Sequence, residues 1–206
     1  MQCKRVSKLG LVVDGPQWSG THTVEVAMMA TPVAMQPTGY IVQSWTDRPY
    51  GTIKTLTVDA IHDGHTFAVR IRWETPAPTE SDFPPAVAIA LPAQGLSPLA
   101  LMGTPEAPIH ILRWQGGRQA GVRSVLAKGI GTSNHGPDVG QKAVAAQTGN
   151  QHTTVITRAL GSGQGAAPLN AGAHTRIGFA AWDGGNGERA GIKSFSPDWI
   201  DLILAA

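Results

Sequence analysis

The sequence is almost without cysteine: Cys3 stands alone among 206 residues. One thiol cannot close an intramolecular disulfide, nor can it hold an iron–sulfur cluster that draws four cysteines from one chain. There is no C-x-x-C-H, so a haem fixed through two thioethers is excluded. Charge is also sparse, with 15% of residues charged and a formal net charge of +2. A nucleic-acid surface needs clustered Lys and Arg, so nucleic acid is not the expected main partner. Long apolar runs are missing too. No segment reaches the roughly 18 apolar residues of a membrane helix, so no membrane span is expected. Near the start, Lys4, Arg5 and Lys8 precede an apolar run at 9–13. That run is shorter than the about 7–15 residues of a signal-peptide core, and no export signal is read in the chain.

What the sequence does contain is punctuation: 25 glycines and 15 prolines. They separate short runs of β-formers, which predicts strands and turns rather than helices. Residues 23–27 and 53–60 alternate polar and apolar residues. His62-Asp63-Gly64-His65 supplies a turn, and T-F-A-V-R-I-R-W at 66–73 completes a hairpin. A-V-A-I-A-L at 86–91, between Pro85 and Pro92, reads as a strand buried on both faces. Further strands are predicted at 108–114, 122–126, 152–160, 175–182 and 198–206. The expected fold is all-β, a two-sheet sandwich of about nine or ten strands. Neither an internal repeat nor a linker interrupts it, so residues 1–206 read as one domain. Two stretches, 75–85 and 129–150, read as long functional loops.

Four stretches, in this order and spacing, carry a resemblance. They are D-G-H-T-F-A-V-R-I-R-W at 63–73, F-P-P-A-V-A-I-A-L-P at 83–92, L-M-G-T-P-E-A-P-I-H-I-L-R-W at 101–114, and F-A-A-W-D-G-G-N-G-E-R-A-G-I-K-S-F-S-P-D-W at 179–199. Together they resemble the haem b-binding γ subunits of the type II dimethyl-sulfoxide-reductase family, such as those of ethylbenzene and dimethylsulfide dehydrogenases and of selenate and chlorate reductases. The resemblance implies a β-sandwich holding one non-covalent haem b with a methionine and a lysine as axial ligands. It implies an electron-transfer subunit with no catalysis of its own, working with a molybdopterin-containing α subunit and an iron–sulfur β subunit. A soluble c-type cytochrome or similar carrier is the implied external partner, and the periplasm the implied location.

By motif position the resemblance places the methionine at Met102 and the lysine at Lys193. A thioether is a soft, neutral ligand that favours ferrous iron. A lysine ligand must first lose a proton held with a reference pKa of about 10.4, and burial near a cation drives that loss. Gly103 is expected to leave room for a porphyrin face. The residues alone leave rivals open: Met28, Met29 and Met35 for one position, Lys128 and Lys142 for the other. His110 is the main competing ligand because histidine is the usual one for haem, although a hydrogen-bonded strand histidine is the plainer reading. His22, His62, His65 and His152 are expected to be solvated. Glu188 and Arg189 read as a surface pair, and the D-G-G-N-G-E loop as a hairpin turn that positions Lys193. Trp45, Trp73, Trp114, Trp182 and Trp199 read as core. Among Arg70, Arg72, Arg113, Arg123, Arg158 and Arg176, one or two are expected to meet haem propionates. Two other classes compete: a carbohydrate-binding sandwich that exposes tryptophan, and a structural β-domain without cofactor.

Overall fold

Strand alternation dictates the layering. In the computed structural model, which describes residues 1–75, 83–117, 121–161, 163 and 165–206, the β-formers pair into 14 strands. Along the chain these are β1 (Gln2–Arg5), β2 (Val24–Ala27), β3 (Met29–Ala30), β4 (Thr55–His62), β5 (Thr66–Glu74), β6 (Ala86–Pro92) and β7 (Ile109–Gln115). They continue as β8 (Gly121–Ala127), β9 (Asn134–His135), β10 (Lys142–Thr148), β11 (Gln151–Ala159), β12 (His174–Trp182), β13 (Ser194–Phe195) and β14 (Ile200–Leu204). One short helix, α1 (Gly39–Trp45), precedes β4.

The main path runs β10-β11-β5-β4-β1-β14-β12-β6-β7-β8-β9. It folds into two layers because β12 serves both. Its first half, through Ile177, pairs with β14, and its second half, from Gly178, pairs with β6. β1 is the parallel element, lying between β4 and β14. The β4–β5 turn is set by Asp63, whose Oδ1 accepts the Thr66 amide at 2.8 Å and the His65 amide at 3.0 Å.

Between the layers, Val58, Val69, Ile71 and Trp73 of one sheet meet Val87, Ile89, Leu112, Trp114 and Phe179 of the other. Each such side chain, fully buried, contributes about 1.5–3 kcal/mol. The outer face of the first sheet is covered by the segment before β2. There Trp18 packs on Ile61, Ala68 and Val155. A buried ion pair staples that cover: Asp59, with no exposed surface, accepts Arg70 Nη2 at 2.7 Å and Nε at 3.0 Å.

The sandwich expected from the sequence is therefore present, with more strands than were read. The stretch 129–150 is not one long loop. It contains β9 and β10, and β10 joins β11 through a two-residue Gly149-Asn150 turn with Gly149 at φ 58°. β10 is mostly exposed and rich in Ala, so no hydrophobic pattern announced it. The other expected loop, 75–85, lies mainly outside the described residues.

Candidate functional site

On the outer face of the second sheet the strands carry small residues. β6 alternates Ala86, Ala88 and Ala90 outward with Val87, Ile89 and Leu91 inward, and Ala180 of β12 lies opposite Ala88. A face of alanines leaves a flat apolar floor. Over it the chain 31–41 forms a roof that includes Pro32, Met35, Gln36 and Ile41. The space between is a cavity of about 430 Å³, within the roughly 300–1,000 Å³ of cofactor and ligand sites.

Met102 and Lys193 both line this cavity. Met102 closes a 3₁₀ turn (Leu99–Leu101) and takes a left-handed backbone, φ 56° and ψ 37°. The turn is seated on the sheet by Leu99, which occupies the space above Gly178 where any Cβ would lie 2.6 Å from its Cδ1. Trp199 Nε1 donates to Ser97 O at 2.7 Å, and the Gly129 amide donates to Met102 O at 3.0 Å, fixing both ends. Ala190, at φ 52°, is the other non-glycine residue of positive φ among those described, and it also lines the cavity. A non-glycine residue held left-handed costs about 1–2 kcal/mol, a local strain found often at functional sites.

Lys193 is 8% exposed. Burial, and secondly the charge of Arg113, bring its pKa down to about 8. Its Nζ lies 5.9 Å from the Trp182 ring, and among the described residues it has no carboxylate partner. The backbone around it is tied down from three sides. The Thr31 amide donates to Lys193 O at 3.0 Å, Gln36 Nε2 to Gly191 O at 3.2 Å, and Trp182 Nε1 to Ala190 O at 3.0 Å.

The 183–188 loop behind Lys193 is not a simple surface turn. Glu188 is 1% exposed and does not pair with Arg189. Its carboxylate accepts the amides of Gly51 at 2.7 Å, Asp183 at 3.0 Å and Thr52 at 3.3 Å. Arg189 instead lies over the Phe83 ring. No spacing rule separates a buried glutamate from an exposed one here, because two of the three donors, Gly51 and Thr52, lie more than a hundred residues away.

Of the remaining sequence candidates, Met35, Arg113 and Trp182 also line the cavity and the others lie away from it. His110 sits on β7 between Ile109 and Ile111, both cavity-lining, and so points the other way, into the core, with no exposed surface. Its Nδ1 accepts the Ala167 amide at 3.3 Å, which leaves the proton on Nε2, 2.9 Å from Ser124 Oγ; that hydroxyl donates to Pro137 O. Both ring nitrogens are thus engaged. Gly103 is needed for a different reason than a ligand face: a Cβ there would stand 2.6 Å from Ala127 O. Met28 packs in the core, Met29 is largely exposed, and Met35 reaches the cavity roof. Lys128 and Lys142 are exposed. His62 and His152, expected in solvent, are buried, and His152 stacks on Trp73 at 5.1 Å. Trp73 and Trp114 are core as expected, but Trp182 belongs to the cavity floor, Trp45 packs against Tyr50, and Trp199 is only partly buried.

The buried neutral His110 makes stability depend on pH. Burial, then the nearby Arg158 charge, lower its pKa to about 4 from the usual 6.5. The unfolded chain takes up the proton near 6.5 and the folded chain only near 4. The contribution is therefore fully present above pH 6.5 and is lost as pH falls towards 4, a change of about 3 kcal/mol. Urea midpoints measured from pH 7.5 to 4.5 are expected to fall, and to fall less in His110→Gln. Equal slopes in the two proteins would rule His110 out as the cause.

Comparison with known proteins bears on this geometry. No family model matches the chain. The chain is 31% identical over 162 residues to the γ subunit of chlorate reductase from Ideonella dechloratans, covering 74% of this chain and 66% of that subunit. The chain belongs to the γ-subunit family of the type II dimethyl-sulfoxide-reductase enzymes. A second relative of this γ chain is a putative respiratory nitrate reductase haem subunit from Haloferax mediterranei, 26% identical over 202 residues, covering 92% of this chain and 68% of that one. The γ chain thus spans about two thirds of the length of these curated relatives. Both are named as γ or haem subunits, not as catalytic subunits. Among solved structures, a family 9 carbohydrate-binding module from Caldicellulosiruptor kristjanssonii, in complex with glucose, superposes with a TM-score of 0.58. It is 10% identical and covers 100% of this chain and 95% of that one. At that identity the likeness shows the shared sandwich fold alone.

Proposed function

We propose that residues 1–206 act as one haem b-binding domain, the electron-transfer subunit of a molybdenum-dependent reductase or dehydrogenase complex. The observation that carries this reading is the meeting of Met102 and Lys193, far apart in sequence, at one apolar cavity. The residues there fit the group. The alanine floor suits a flat apolar ring, the thioether of Met102 is a soft neutral donor, and Lys193 is an amine that no described carboxylate keeps charged. Haem bound there would supply a one-electron ferrous–ferric couple at a potential raised by the methionine.

The chain's own residues prepare that site. The depressed pKa of Lys193 means that its Nζ gives up its proton far more readily than a surface lysine. The bonds from Thr31, Gln36 and Trp182 to the backbone at 190–193 hold the amine's stem in place. The segment over Ala88 and Ala90 covers part of the floor and leaves Ala88 buried. Electrons would pass between an iron–sulfur β subunit, paired with a molybdopterin-containing α subunit, and a soluble carrier such as a c-type cytochrome. A periplasmic setting goes with that assignment, and no described helix is long and apolar enough to cross a membrane. A sugar-binding reading has less support, because Trp18, Trp45, Trp73, Trp114 and Trp182 are all at most 8% exposed and offer no open platform.

The test is an absorption spectrum of the intact complex, oxidised and then dithionite-reduced, with a pyridine haemochrome assay. One b-type haem per γ chain is expected, with the signal lost or its bands shifted in Met102→Ala and in Lys193→Ala. An intact complex without b-type haem would sink the proposal. Haem unaffected by either change would overturn the ligand assignment.

A further inference from the structure

Strand register sets a row of side chains across the second sheet. Ala180 lies opposite Ala88, Ala88 opposite Arg113, and Arg113 opposite Arg123. Directly opposed residues on antiparallel strands share a face, and like charges so placed repel. Among the described residues that repulsion goes unanswered, since neither arginine has a carboxylate partner there. Arg113 lines the cavity and stacks over the Trp182 ring at 4.8 Å, yet its buried Nε has no hydrogen-bond partner. Arg123 is exposed and is not itself a lining residue, but Val125, two positions along β8, is.

The other strand arginines are occupied. Arg70 and Arg72 turn to Asp59. Arg158 donates to the carbonyls of Ala159, Gly161 and Ala167. Arg176 pairs with Asp201. The cavity's nearby acids do not serve either, since Asp183 and Glu188 are engaged by the Thr52 hydroxyl and by backbone amides. Two arginines therefore oppose each other across β7 and β8, the inner one lining an apolar cavity, and each guanidinium fork matches a carboxylate bidentately.

We propose that Arg113 and Arg123 form a carboxylate clamp that takes the paired propionates of the porphyrin, with Arg113 as the inner and Arg123 as the outer member. This rests on the haem reading above. It fixes which edge of the ring faces the β7–β8 side of the cavity, and it removes the repulsion between the two arginines.

The full chain is refolded with iron protoporphyrin IX or with its dimethyl ester, in which both carboxylates are capped. The release half-time is then read by transfer to excess apomyoglobin. The wild type is expected to hold iron protoporphyrin IX at least about 10-fold longer than the ester. Arg113→Gln and Arg123→Gln should each shorten the half-time for iron protoporphyrin IX several-fold and leave that of the ester unchanged. Arg123 is exposed, so its variant serves even if Arg113→Gln folds poorly. Variants that release both porphyrins at the wild-type rate, or that speed both alike, would overturn the clamp while a retained Soret band leaves the haem reading standing. A wild-type chain that binds neither porphyrin would overturn both.

Discussion

Glu188→Ala is expected to lower the unfolding free energy by about 3–5 kcal/mol and to disorganise the Lys193 side of the cavity. The carboxylate is buried and accepts three backbone amides, those of Gly51, Thr52 and Asp183, and a side-chain amide from Asn186. Alanine removes the acceptor and leaves the donors. Each buried donor left unpaired costs about 1–3 kcal/mol, and bonds to a charged group sit at the upper end. Space does not relieve the loss, because Gly51 is already tight against Ala30, where a Cβ would come within 2.5 Å. Glu188→Gln keeps the shape and one acceptor oxygen, so about 1–2 kcal/mol is expected. Urea unfolding gives the stability, and the intensity and position of the haem bands give the site. An alanine variant within 1 kcal/mol of wild type would show that other contacts hold the 183–188 loop.

Asp59→Ala should have a loss of similar size through another mechanism. Asp59 has no exposed surface and faces two arginines: Arg70 in a two-pronged contact at 2.7 and 3.0 Å, and Arg72 at 3.5 Å. Removing one partner of a buried pair leaves an uncompensated charge, at about 3–5 kcal/mol. The same carboxylate accepts Thr21 Oγ1 at 2.7 Å, and Arg70 lies over Trp18 while reaching Val13 O and Asp14. The cover over the first sheet should loosen with it, so limited proteolysis is expected to cut within 6–22 before the core unfolds. Converting Arg70 to Met in the Asp59→Ala background should recover part of the loss, since the stranded charge is then gone. A double variant as unstable as the single one would refute that account.

Much of the sandwich could be read from period-two patterns, because β4, β5, β6, β7, β11 and β12 each bury at least one face. The misses have physical causes. β10 buries little, so it carries no pattern. β1 is short, and its parallel neighbours lie elsewhere in the chain. A-V-A-I-A-L announced burial on both faces, but that one face would be a ligand floor follows only once its alanines are seen beneath an arched segment. At the site, residue type alone could not choose between Met102 and Met35, and both reach the cavity. The order of motifs singled out Met102 and Lys193. His110 was a rival because histidine is the usual haem ligand and its direction on β7 could not be read; its neighbours Ile109 and Ile111, both lining the cavity, decide that direction. Glu188 was misread because exposure is a tertiary property.

The seam between β1 and β14 has a kinetic consequence. Gln2 pairs with Ile203 and Cys3 with Leu204, so the two strands that join there come from opposite ends of the sequence described. Closing so long a loop before any reward is collected places the chain among high-contact-order β proteins, which fold in milliseconds to seconds. β12, whose second half floors the cavity, pairs with the far edge of β14 through its first half. The floor is therefore not fixed until residues 200–204 are in place, and capture of a prosthetic group is expected to follow the docking of β14.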